Sequence, residues 1–94
     1  QTEYTRKVQI NNEPTGAKEQ YEWGDQYYQT GKYQEALKWF RKSAEQGNAH
    51  AQYRLGLMYY YGIGVTQDKA QGMNWYRKAA NQGHAEAQFR LQHA

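Results

Sequence analysis

Trp39-Phe40-Arg41-Lys42-Ser43-Ala44-Glu45-Gln46-Gly47-Asn48-Ala49-His50-Ala51-Gln52-Tyr53-Arg54-Leu55 returns at residues 75–91 as WYRKAANQGHAEAQFRL. The shift is 36 residues, and 11 of the 17 positions are identical. Phe40 against Tyr76 and Tyr53 against Phe89 keep the aromatic character where identity is lost. Self-similarity at such a period marks a repeat array, in which each unit buries its apolar face against its neighbour. Upstream, Ala36 falls opposite Gly72 and Leu37 opposite Met73. Further back the register slips: Gly24 and Gly56 are 32 apart, as are Tyr27-Tyr28 and Tyr59-Tyr60. The second unit thus carries a connection four residues longer. Insertions belong in loops, which places Gly62-Ile63-Gly64-Val65 between helices.

Apolar spacing within the repeat is helical. Ala36, Leu37, Phe40 and Ala44 form one stripe, and Ala51, Leu55, Met58 and Tyr59 another. The expected helices span about 17–30, 33–46, 49–61, 67–82 and 85–93. Gly31, Gly47, Gly62 and Gly83 stand where helices should stop, in the position that favours positive φ. Thr66 is the expected cap of the fourth helix, with Asp68 in its first turn and Val65 stapled onto Ala70. Gly24, Gly56 and Gly72 lie inside helices, where glycine costs about 1 kcal/mol relative to alanine. Close approach of neighbouring helices is the expected compensation.

Composition narrows the class further. The chain has 94 residues, enough for one small domain with a thin core. Ten Tyr, three Trp and two Phe must supply much of that core. Trp23, Tyr27, Trp39, Phe40, Tyr59, Trp75 and Tyr76 are expected inside it. The net charge of +3 is far below that of a dedicated nucleic-acid binder. The absence of cysteine excludes disulfides, thiolate metal sites and a cysteine nucleophile. No apolar run approaches the roughly 20 residues that span a bilayer, so membrane insertion is not expected. The first residue is Gln1 rather than Met, which fits removal of a signal peptide or excision from a longer sequence equally.

The second unit reads Leu55-Gly56-Leu57-Met58-Tyr59, Gly62-Ile63-Gly64-Val65, Asp68, Trp75-Tyr76 and Ala79-Ala80-Asn81-Gln82-Gly83. This resembles the Sel-one-like repeat, a relative of the tetratricopeptide repeat. The first unit departs from that pattern. It has Trp23-Gly24-Asp25-Gln26-Tyr27, then a short Thr30-Gly31-Lys32-Tyr33 turn of the tetratricopeptide kind. The resemblance covers residues 17–94. It implies an all-α fold, a right-handed α/α superhelix of about two and a half repeats used as a docking surface. Enzymatic activity has been proposed for cysteine-stapled members of the family, and a chain without cysteine gives that extension no basis. The family's many envelope and secreted bacterial members favour the periplasm or the exterior over the cytoplasm.

Residues 1–16 fall outside the repeat. Tyr4, Val8 and Ile10 alternate with polar residues, as in an extended strand, before Pro14 and Gly16 break the chain. They read as a mobile arm, or as one packed on the solenoid or a neighbour's strand. At the other end, Leu91 is followed by Gln92 where the motif has glycine, which suits a terminal cap. Two and a half repeats are few for independent stability, so self-association through an open solenoid end is a further expectation.

Catalytic signatures are missing. Gly62-Ile63-Gly64 lacks the preceding strand and third glycine of a phosphate-binding turn. His50, His84 and His93 have no metal-ligand spacing. Glu22 and Asp25 share a helix face but read as a solvated groove edge, and Ser43, the only serine, falls at a core-like position. No catalytic residue, metal or cofactor is therefore expected. Lys38, Arg41 and Lys42, with Arg77 and Lys78 in register, form a basic ridge. It reads as a solvated outer face with Glu45 pairing Arg41, or as a contact for an acidic partner.

The remaining aromatics carry the functional expectation. Tyr21, Tyr28, Tyr53, Tyr60, Tyr61 and Phe89 lie on the first helices of successive units, beside Arg54 and Arg90. In solenoids of the kind resembled, those helices line the concave face. Tyrosine and arginine are enriched where binding energy concentrates. Asp25, His50 and Leu57 fall on or near the same side. These eleven residues are the expected surface for a protein or peptide partner. Packing between units is the competing use of the rings. An inhibitor of one enzyme, or a binder of cell-wall glycan, is the alternative function.

Overall fold

The computed structural model describes residues 12–94, so expectations for residues 1–11 lie outside the described residues. Five helices follow one another: α1 Ala17–Gln29, α2 Tyr33–Glu45, α3 Ala49–Tyr61, α4 Lys69–Asn81 and α5 Ala85–Gln92. Each packs on the next, so α1/α2 and α3/α4 are the two helix pairs and α5 opens a third. The all-α repeat architecture is the expected one.

The helix ends explain the period. After α2, Gly47 has a φ of 98°, its N–H donates to Ala44, and Asn48 donates back to Ser43. After α4, Gly83 at 90° and His84 make the same pair of bonds, to Ala80 and Ala79. This double bond satisfies the last carbonyls and reverses the chain, and only glycine adopts that φ without strain. The next residue then caps the following helix: the Asn48 side chain accepts from the Ala51 N–H, and His84 Nδ1 accepts from Ala87. Asn48 and His84 occupy one repeat position, so stop and start signals are adjacent by construction.

The longer α3–α4 connection is closed by the Asp68 N–H bonded to the Tyr59 carbonyl and by Gln67 Nε2 bonded to Tyr60. Here one expectation fails. Asp68, not Thr66, caps α4, accepting from the Gln71 N–H at 3.0 Å, and the helix begins at Lys69. Both side chains are able to cap, and the hydrogen bond from Asp68 to Tyr59 fixes which one sits at the helix mouth. Val65 packs against the core instead of stapling onto Ala70, which is exposed.

Two apolar clusters form the interior. Ala36, Phe40, Ala44, Ala51, Leu55, Met58 and Tyr59 fill the space between the units, and Tyr76, Ala79 and Ala87 fill that between the second unit and α5. The helical glycines admit the rings of the second helices. A Cβ on Gly24 would lie 2.6 Å from the Phe40 ring, and one on Gly56 would lie 2.6 Å from Tyr76. Trp23 departs from expectation by being 38% exposed. It holds the repeat position of Leu55, which is buried against the preceding pair, and α1 has no preceding pair among the described residues.

Glutamines brace the units through bonds that no local sequence pattern marks. Gln46 Nε2 donates to Gln20 Oε1 and to the Thr15 carbonyl; Gln82 Nε2 donates to Gln52 Oε1 and to the Gly47 carbonyl. Gln20 and Gln52 are buried, so these bonds offset the cost of burying their amides.

Candidate functional site

The first helices of successive units, α1, α3 and α5, are tied together by one arginine each from α3 and α5. On α3, Arg54 Nη2 lies 3.3 Å from Asp25 Oδ1, and its guanidinium sits 5.6 Å over the Tyr28 ring. Asp25's other oxygen accepts from Gln29 Nε2 at 2.8 Å. On α5, Arg90 Nε donates to the Tyr53 hydroxyl at 3.3 Å and Nη1 to the Tyr61 hydroxyl at 2.8 Å. The hydrogen bond to Tyr53 leads the effects that hold Arg90 more firmly protonated than usual. Both arginines reach back to the preceding first helix because they occupy one repeat position.

Rings complete the surface. Tyr21 lies 5.8 Å from His50, His50 lies 5.1 Å from His84, and Tyr53 stacks on His84 at 4.8 Å. Tyr60 and Tyr61 meet edge to face at 5.0 Å. Tyr21, Asp25, Tyr28, His50 and Arg54 therefore form one cluster, and Tyr53, Tyr60, Tyr61 and Arg90 another, joined through the two histidines. Leu57 is half-buried against the second core cluster. Phe89 is 59% exposed and stacks on His93.

Two hollows open among these residues. One of about 320 Å³ is lined by Tyr21, Glu22, Asp25, Gln26, Gln29 and Thr30. The other, of about 170 Å³, is lined by Tyr60, Tyr61, Tyr76, Phe89, Arg90, His93 and Ala94. Tyr76, expected only as core, is 1% exposed, and its hydroxyl has no hydrogen-bond partner among the described residues. Burial pushes that hydroxyl well above the ordinary tyrosine range, so it stays protonated. His84 was not among the expected site residues, although its place opposite the capping residue Asn48 was visible in the repeat. Burial lowers its pKa, the neighbouring His50 lowers it further, and Glu86 opposes both.

The basic ridge does not form the expected pair with Glu45. Arg41 donates to the Tyr59 hydroxyl and lies over its ring, while Lys38 and Lys42 lie over Trp39 and Lys78 over Trp75. A phenol acceptor on the next helix and a ring face hold these cations against the aromatic body. Among the described residues no group of three or more His, Asp or Glu side chains gathers to hold a metal ion, and no helix is long and apolar enough to cross a membrane.

The Sel1 repeat model matches this chain twice, over residues 20–48 and 49–84. The chain belongs to the Sel1 repeat family. Its matched units are the two helix pairs described above. A Sel1 repeat protein from Oxalobacter formigenes superposes with a TM-score of 0.76 and 38% identity over 81% of this chain and 32% of its own. A protective antigen present in uropathogenic Escherichia coli strains, displaying the same fold, gives a TM-score of 0.76 and 36% identity over 79% of this chain and 17% of its own. This chain thus spans a third or less of either relative. Both relatives are bacterial.

Proposed function

We propose that this Sel1 repeat chain is a non-catalytic docking module that holds a protein or peptide partner on the face formed by α1, α3 and α5. One observation carries the reading: two arginines at one repeat position each reach back to tyrosines of the preceding first helix, one bonded to Asp25 at the edge of one hollow and the other lining a second. Aromatic and arginine side chains held in place by packing lose little freedom on binding and supply large contact area. An extended peptide or a helix laid along the three helices would meet both clusters. The antigenic relative supports a location in the periplasm or outside the cell.

The test is capture from native lysate by the whole chain and by a Tyr53→Ala/Arg54→Ala variant. One stoichiometric partner should be retained by the parent and lost by the variant, with the helical circular dichroism unchanged. Equal retention by both would move the site to the basic ridge or to the arm, residues 1–16. Recovery of an enzyme whose activity the chain blocks would make it an inhibitor, and recovery of wall fragments would make it a glycan binder.

A further inference from the structure

Among the positions at which the two repeats differ, two bear on Arg90 and on the 170 Å³ hollow that it lines. In the first unit Arg54 faces the carboxylate of Asp25. The residue 32 positions after Asp25 is Leu57, so the equivalent arginine, Arg90, meets no carboxylate from α3. Among the described residues its hydrogen-bond partners are two neutral phenols, Tyr53 and Tyr61. A guanidinium has five N–H donors in a fork that matches a carboxylate, and these phenols use two. The second difference is Phe40, whose counterpart Tyr76 adds a hydroxyl that is buried and unpartnered. An unpaired buried hydroxyl is costly, and nothing in the packing requires it, since phenylalanine fills the same position in the first unit. One repeat has therefore lost an anion beside its arginine and gained a donor. No Asp or Glu side chain lines the hollow, and the rings of Tyr60, Tyr61 and Phe89 form part of its wall.

Resting on the docking reading above, we infer that this hollow receives a carboxylate of the bound peptide, from an acidic side chain or the chain terminus, with Arg90 as counter-ion and Tyr76 as second donor. The incoming group gives Arg90 the carboxylate that Asp25 gives Arg54 in the first unit. Tyr61 and Phe89 flank it.

The experiment selects binders from a random dodecapeptide library with free C-termini, using the whole chain. The best peptide is resynthesised with each carboxylate changed to a carboxamide in turn, the terminus included. One change should weaken binding at least about tenfold, a loss typical of a buried charge pair, and its position tells side chain from terminus. Against Arg90→Gln the same two peptides should differ by less than about twofold. Leu57→Asp, which rebuilds the first unit's ion pair inside the second, should weaken the parent peptide by a similar tenfold while the chain stays folded. Lys18→Gln, an equal loss of charge on the exposed side of α1, should leave affinity unchanged. If a peptide shifts the amide resonances of Tyr53 and Arg54 yet tolerates every carboxamide, the carboxylate site is wrong and the docking face stands. If no peptide perturbs those resonances, the docking face falls and takes this site with it.

Discussion

Gly72 meets backbone where Gly24 and Gly56 first meet rings. A Cβ there would lie 2.8 Å from the Gly56 carbonyl oxygen and 2.8 Å from the Tyr60 nitrogen. A ring can tilt, but two helix backbones move only by separating the pair. Gly72→Ala should therefore destabilise the chain by roughly 2–3 kcal/mol, as overpacking does, despite the better helix propensity of alanine. Gly47→Ala, strained at φ 98° but facing open space, should cost about 1 kcal/mol. Urea denaturation separates the two, and an equal effect would refute the backbone contact. Tyr76→Phe should act in the opposite direction. Removing a buried hydroxyl without a partner should add about 1 kcal/mol, or about 4–8 °C in melting temperature. A lower melting temperature would show that it has a partner. The need for close approach at Gly72 was legible from a glycine inside a helical stripe. The unpaired hydroxyl was not, because sequence shows that Tyr76 carries one where Phe40 does not, and only placement shows that it lacks a partner.

Elements begin with a hydrogen-bonding side chain at α3, α4 and α5, whereas α1 and α2 start at Gly16 and Lys32 without one. Asp68→Ala should cost about 1 kcal/mol, and Thr66→Ala should stay within about 0.5 kcal/mol. Melts of the two variants decide between the observed cap and the one expected from sequence. Both residue types cap helices, Asp somewhat better than Thr, and the loop bond between Asp68 and Tyr59 places Asp68 at the helix mouth. His84 makes the α5 cap dependent on pH. Its folded pKa lies below the ordinary 6.5, chiefly through burial, with His50 adding and Glu86 opposing. Between the folded and unfolded values the unfolded chain binds more protons, so this contribution is complete above 6.5 and is lost as pH falls below it. Protonation at Nδ1 would also remove the acceptor for the Ala87 N–H. Stability should thus decline on acidification from neutral pH. His84→Asn, which installs the cap that the first unit already uses, should flatten that decline in denaturation curves taken at several pH values. An unchanged slope would assign the decline to other groups.

At the scale of the whole molecule the repeat predicts a gradient of stability. In a solenoid each element owes its protection to its neighbours, so interior elements are held from two sides and terminal ones from one. Here α3 buries Ala51, Gln52, Leu55, Gly56, Met58 and Tyr59, and it contributes to both core clusters. By contrast α5 buries only Ala87, and α1 only Gln20 and Gly24. The cross-links converge on the same centre: Arg54 reaches from α3 to Asp25, Arg90 reaches into α3 at Tyr53 and Tyr61, and Gln82 reaches Gln52. The order of the helices was readable from the register of the repeat. These cross-links were not, since a polar side chain's partner on another helix leaves no local pattern. Amide exchange should accordingly be slowest in α3, intermediate in α2 and α4, and fastest in α5, where local opening needs the least apolar surface exposed. Arg90→Gln should speed exchange in α5 far more than in α3, because it cuts α5's two side-chain bonds to α3 while leaving the first core intact. Uniform protection across all five helices would mean that the chain opens only as a whole, and that the two clusters behave as one core.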